Sequence, residues 1–231
     1  MGPESYTWAV RIVNLLGRLT PYEEADRLQR RLHEDIAAGA EDALLFFEAE
    51  PTYTAGRATK DRDIVDATLP VIRTDRGGSV TWHGPGQLVC YPIVKLANPG
   101  DVISYIRTVE AGLLAAIRDT WGLDVVTVPG RAGIWLLSPG RPDRKICAIG
   151  LKVARGATMH GLALNVHPDM THAFTGIIPC GLDDADVATL AGEGITATLD
   201  QAKETVQTHL SQALAPLLER PLTALVETRE A

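Results

Sequence analysis

Apolar residues recur along this chain with two periods, and the switches between them predict its elements. Thr20, Pro21 and Glu23 supply a capping hydroxyl, a proline at the first helical position and a capping-box carboxylate. No breaker follows before Gly39, which predicts a helix over about residues 21–38. Residues 42–47 are a short apolar run of strand length. Residues 70–73 and 87–96 read as further strands. The second is apolar on both faces and so central to a sheet, although Pro92 lacks the donor that a fully paired middle needs. From Asp101, a plausible N-cap, Val102, Ile103, Ile106, Val109, Leu113, Leu114 and Ile117 recur at helical spacing up to Gly122. Four strand-like runs follow, at 124–128, 133–137, 145–154 and 158–166, separated by Gly, Pro and Arg clusters as in a meander. A polar turn at 181–186 and an amphipathic stretch near 199–218 complete the pattern, with two more helices expected in this last third. Strands in succession predict an α+β fold with a mixed or antiparallel sheet and packed helices, and no low-complexity linker divides it, so a single domain is expected.

Composition narrows the function classes. Of 231 residues 45% are hydrophobic, enough for a sizeable core, and 29 acidic against 22 basic side chains leave a formal charge of −7. That balance repels phosphate backbones and anionic bilayers, so no nucleic-acid or membrane partner is expected. No stretch approaches the roughly 20 apolar residues of a membrane span, and Met1 to Tyr6 lacks a secretory signal's basic and apolar regions, which predicts a cytoplasmic protein. Three cysteines, Cys90, Cys147 and Cys180, are an odd number, and free thiols are expected.

Three segments carry candidate chemistry. Arg76 to Gln87 packs four glycines and a proline into twelve positions before the most apolar strand. Such a loop either wraps a small molecule with its backbone amides or is a tight connector between strands. It lacks the third glycine of a dinucleotide fingerprint and the lysine of a phosphate-binding loop. Lys145 heads a strand in which alternation puts Cys147, Ile149, Leu151 and Val153 on its own face. A lysine there is ordinarily solvated; partial burial among apolar neighbours would make it reactive. Cys180 sits between Pro179 and Gly181, an accessible setting for a nucleophile provided a cation favours the thiolate. Cys147 is its rival, and Cys90 reads as a core residue. His83, His160, His167 and His172 match no compact ligand spacing, so no metal is expected. His83 reads as a hydrogen-bonding wall of the loop.

Five stretches run in one order over about residues 42–190: Pro51 to Arg57; Asp75 to Gln87 with Tyr91 and Pro92; Lys145 to Gly150; His160 to Asn165; and Pro179 to Gly181. In these the sequence resembles the bacterial octanoyltransferases, or lipoyl(octanoyl) transferases, which share a catalytic fold with biotin and lipoate protein ligases. The resemblance implies an enzyme without cofactor that takes an octanoyl group from octanoyl-acyl carrier protein. It would deliver the group to a lysine of lipoyl domains, those of 2-oxoacid dehydrogenase acyltransferase subunits and of the glycine cleavage H protein. It implies Cys180 as the nucleophile forming an acyl thioester and Lys145 as the acid/base that lowers its pKa. Arg76, Gly77, Gly78, Ser79, Val80, Thr81, Trp82 and His83 would bind substrate, with Ala148, Ile149 and Gly150 and with His160, Gly161, Leu162 and Ala163. The chain departs from the family pattern in having Trp82 where Tyr is commoner, which would alter the tunnel wall, and Cys147 where Ala is common.

Both implied protein partners are acidic, so local basic patches are expected to dock them: Arg57, Lys60 and Arg62, and separately Arg131, Arg141, Arg144, Lys152 and Arg155. Two alternatives share the pattern. An ATP-dependent lipoate or biotin ligase has the same fold and glycine loop but needs no cysteine, and its loop typically continues with Asp where Gly84 follows His83 here. A silent acyl-binding module would have no need of both Cys180 and Lys145.

Overall fold

A mixed sheet carries the fold among the residues that the computed structural model describes, which are 8–66, 68–171, 173–179 and 184–228. In chain order its strands are β1 (Trp8–Thr20), β2 (Ala43–Ala49), β6 (Gln87–Ile93), β7 (Val126–Val128), β8 (Arg131–Leu136), β9 (Asp143–Ala154), β10 (Ala157–Asn165), β11 (Ala185–Val187) and β12 (Leu222–Thr228). They lie in the order β12-β1-β2-β6-β10-β9-β8-β7, with β11 beside the start of β9. A second sheet joins β3 (Thr52–Ala55), β4 (Val71–Arg73) and β5 (Val80–His83) in the order β4-β3-β5. The pairs β1–β12, β1–β2, β9–β11 and β3–β4 are parallel and the rest antiparallel.

Helix α1 (Tyr22–Ala37) covers one face of the large sheet; α2 (Val102–Trp121) and α3 (Leu199–Leu214) cover the other. Ala25, Leu28, Leu32 and Ile36 form the stripe by which α1 docks on Val89, Tyr91 and Ala163. Each such leucine, moved out of water, contributes about 2 kcal/mol. Asp101 caps α2 by accepting the Ser104 N–H at 3.0 Å, and Gly122 ends it in the left-handed conformation.

Two expectations need correction. Thr20 does not cap α1: it ends β1, paired with Ala49, and Pro21 is the capping residue without a side-chain bond. The last third holds one α-helix among the described residues, because Pro216 turns the chain into a 3₁₀ turn, Ala215–Leu217, and β12 then adds itself to the sheet beside β1. Strand β1 also escaped the pattern. Its Val10 and Ile12 face α2 and α3 while Val13 and Leu15 face α1, and Arg11, Asn14 and Gly17 interrupt them, so no clean alternation shows. Pro92 lies inside β6 as the sequence hinted, and the Thr158 hydroxyl replaces the missing ladder. It donates to Pro92 O at 2.6 Å and accepts from Val94 N at 2.9 Å.

Asp42 ties β1, β2 and the end of β6 together through Arg11 N to its carbonyl and Lys95 N to its carboxylate, both near 2.8 Å. Burial pushes its carboxyl up to about 6, against which the Lys95 hydrogen bond works only in part. A folded-state value above the unfolded one means a contribution that is full below about pH 4 and lost as pH rises through 6. Asp42→Asn keeps the acceptor and removes the titration. It is expected to be more stable than the parent at pH 7.5, by on the order of 2 kcal/mol, with the gap closing at pH 4. Urea unfolding at the two pH values checks this; equal gaps would contradict it.

Candidate active site

A cavity of about 430 Å³ lies between β5, the Arg76–Ser79 turn and the large sheet, within the usual size of small-molecule sites. Its sheet side is made of small residues. On β10, Ala163 and Gly161 share one face, opposite Ala148 and Gly150 of β9. Above them the turn comes down on β9: Gly77 N donates to Leu151 O at 2.9 Å, and a Cβ on Gly150 would stand 3.0 Å from Gly77 O. Three anchors hold the turn. Arg76, buried, donates to Thr54 O at 2.7 Å and Thr54 Oγ1 at 3.0 Å. The Ser79 hydroxyl donates to Asp63 at 2.6 Å. Asp75 binds Lys152 Nζ at 2.7 Å and His160 Nε2 at 2.8 Å.

Of the residues singled out in the sequence, Arg76 to Ser79, Thr81, His83, Lys145, Ala148, Ile149, Gly150, Gly161, Leu162 and Ala163 all line this cavity. Val80 and Trp82 do not. Strand alternation sends them to the far face of β5, into a small core with Tyr53, Ala173 and Ile177, where Trp82 packs on Phe174 at 5.3 Å. Trp82 therefore does not form the tunnel wall. His160 stands behind the cavity, fully buried, at φ +57. Its backbone N–H donates to Gln29 Oε1 at 2.9 Å, and Gln29 Nε2 donates to its Nδ1 at 3.1 Å, so Nε2 carries the proton given to Asp75. Burial lowers the pKa of this imidazole. Burial would raise that of Asp75, but the Lys152 and His160 hydrogen bonds outweigh it and hold the carboxyl well below its usual range.

The face predicted for Lys145 is corrected by a bulge. Ile134 pairs with Cys147 but Trp135 pairs with Lys145, so Ile146 is skipped. One extra residue turns Lys145 to the side of Ala148 and Gly150, and leaves Cys147 in the core with Cys90 and Ile134. The Lys145 ammonium lies 4.5 Å from the centroid of the buried Trp135 ring, and its backbone carbonyl accepts Ala188 N at 2.9 Å. Lys145 also borders a smaller pocket with Thr81, Asn165 and Pro179. Gly176 and Ile178 are pinned: Ile178 N donates to Asp63 O at 2.8 Å, and Val65 N to Gly176 O at 2.9 Å. Cys180 and Gly181 lie outside the described residues, as does His172. Cys90 and Cys147 are free thiols; burial pushes Cys147 up to about 12 and Cys90 well above its ordinary value, which leaves neither as a nucleophile.

His83 is the polar group whose setting is most constrained. Gln87 Nε2 donates to Asn165 Oδ1 at 2.9 Å and Asn165 Nδ2 to Ala188 O at 3.0 Å, so Gln87 Oε1 is left to accept His83 Nδ1–H at 2.7 Å. Nε2 has no hydrogen-bond partner among the described residues, and the ring stacks on Tyr22 at 5.7 Å. Burial pushes this imidazole down to about 4, so it is neutral at physiological pH.

Sequence reasoning did not pick out Tyr91 as a wall, nor Gln29, Trp135, Val102 and Ile106. A polar Gln29 on the apolar stripe of α1 was the one signal among these. The basic clusters fare unevenly as docking surfaces. Arg144 pairs with Glu193, Arg131 with Asp184 and Lys152 with Asp75, whereas Arg57, Arg141 and Arg155 are exposed without an acidic partner among the described residues.

The fold is that of lipoate-protein ligases: a lipoate-protein ligase A solved with bound ATP superposes with a TM-score of 0.71 over 96% of this chain and 90% of its own, at 17% identity. The chain belongs to the lipoyl protein ligase A/B catalytic-domain family, whose family model matches residues 21–211. Proteins named octanoyltransferase from Acidothermus cellulolyticus and Mycobacterium tuberculosis are each 48% identical to it. The first match covers 86% of this chain and 90% of the relative, the second 85% and 84%. Among the described residues no helix is long and apolar enough to cross a membrane.

Nitrogen-15 spectra of the histidine side chains check the site's electrostatics. His83 is expected to be neutral at pH 6 with its proton on Nδ1; an imidazolium pattern at that pH would contradict the burial and Gln87 geometry.

Proposed function

We propose that this protein transfers an octanoyl group from octanoyl-acyl carrier protein to a lysine of lipoyl domains, through a thioester on Cys180. The observation that carries the reading is a cavity of about 430 Å³, floored by alanine and glycine and lined by Lys145, which also borders a smaller pocket with Pro179. The 48% identity to proteins named octanoyltransferase supports the same reading. Cys180 follows Pro179 in the sequence, and the proposal requires its thiol to lie within reach of Lys145.

The chemistry needs positioning and activation only. The Cys180 thiolate, favoured by the neighbouring ammonium, attacks the carrier thioester; the new C–S bond forms as the old one breaks, and the carrier thiolate leaves with a proton from the Lys145 ammonium, which becomes a neutral amine. The exchange of one thioester for another is nearly isoenergetic. The acceptor amine then attacks, its proton passes to Lys145, and an amide and the free cysteine result. Backbone N–H groups near the glycine turn would stabilise each tetrahedral oxyanion, at about 3 kcal/mol per donor. Arg57, Arg141 and Arg155, exposed and without an acidic partner among the described residues, are the cations that would receive an acidic carrier.

Intact mass spectrometry after mixing with octanoyl-acyl carrier protein tests this. One octanoyl unit on the protein is expected, absent from Cys180→Ala and retained in Cys147→Ala. An adduct on Cys147, or pyrophosphate released from octanoate and ATP without any adduct, would overturn the proposal.

A further inference from the structure

The floor of the cavity is laid down in steps of one pleat. Asn165, Ala163 and Gly161 share a side of β10; Asn165 pairs with Gln87 of β6, and Ala163 and Gly161 pair with Ala148 and Gly150 of β9. Lys145 stands at the Asn165 end, since both border the pocket at Pro179. Tyr91 stands at the other: a Cβ on Gly161 would come within 3.1 Å of its Cα, and it lines the cavity. At about 3.3 Å per residue, Ala163 lies about 7 Å along from Asn165, and Gly161 about 13 Å.

An extended eight-carbon acyl chain, advancing about 1.25 Å per C–C bond, spans about 9 Å. With its carbonyl at Lys145 it covers Ala163 and stops short of the Gly161 row. At the Gly161 row the way is closed by the buried ring of Tyr91. Tyr91 is 3% exposed, shares a 3.1 Å hydroxyl contact with Tyr22, and meets Phe47 and His160 edge-on at 5.2 and 5.6 Å. Lengthening the ligand by more than about three carbons therefore requires displacing a packed tyrosine, which close-packed interiors resist.

We propose that Tyr91 is the end stop and Ala163 the floor that limit the acyl group to medium length. This rests on the octanoyl-transfer reading and adds the residues that set its chain-length preference. Removing the stop lengthens the accepted chain; filling the floor shortens it.

Acyl-carrier thioesters of increasing even chain length, from butanoyl to tetradecanoyl, are offered to the parent protein, to Tyr91→Ala and to Ala163→Leu, and initial loading is read by intact mass. For Tyr91→Ala the dodecanoyl-to-octanoyl loading ratio is expected to rise at least about tenfold, the scale at which pockets discriminate added methylenes. For Ala163→Leu the butanoyl-to-octanoyl ratio is expected to rise similarly. Because truncating a buried tyrosine to alanine can prevent folding, Tyr91→Leu, a smaller truncation that also shortens the stop, is measured beside it and is expected to shift the ratio in the same direction. A loaded parent with an unchanged length profile in the variants overturns the length assignment only. A parent that takes no acyl group of any length overturns the function beneath it.

Discussion

The cavity depends on the close approach of the Arg76–Gly78 turn to strand β9, where Gly150 faces the Gly77 carbonyl and the Arg76 side chain. A Cβ on Gly56 would lie 2.4 Å from Gly78 O, and one on Gly150 would lie 3.0 Å from Gly77 O. Glycine at these places lets main chain lie against main chain. The turn thus becomes a roof, held by Arg76 on β3, Ser79 on Asp63, and Asp75 on the His160–Gln29 pair that reaches back to α1. His160 sits in a backbone conformation that costs a residue with a Cβ about 1–2 kcal/mol, and its three hydrogen bonds hold it there.

The two buried histidines at the cavity, His83 and His160, divide the work by tautomer. His160 gives its proton from Nε2 to a carboxylate and fastens the roof; His83 gives its proton from Nδ1 to Gln87 and leaves Nε2 unpartnered. Neither ring needs to be charged at neutral pH, because burial depresses both. Lys145 is thereby the ammonium that the floor of the cavity presents, carried there by a bulge and braced by Trp135.

Much of this was legible in the sequence, for physical reasons that differ from element to element. Helix α2 showed itself by its cap at Asp101, its period and Gly122. The glycine density at 76–87 marked a backbone approach, and the ordered motifs marked the family. Strands β1 and β12 were not legible, the first because both its faces are buried and the second because an edge strand carries few buried residues. The facing of Lys145 was misread because a bulge leaves no trace in alternation, and Trp82 because β5 looked like loop. Tyr91 could not be singled out, since its role depends on a register with Gly161 that only the assembled sheet defines.

The proposed transfer requires the Lys145 ammonium to lower the pKa of the Cys180 thiol. The pH dependence of Cys180 alkylation by iodoacetamide, measured on the parent and on Lys145→Ala, addresses that link directly. The parent is expected to react with an apparent pKa below the ordinary thiol value of about 8.5, and Lys145→Ala with a higher one. Identical profiles for the two proteins would contradict it.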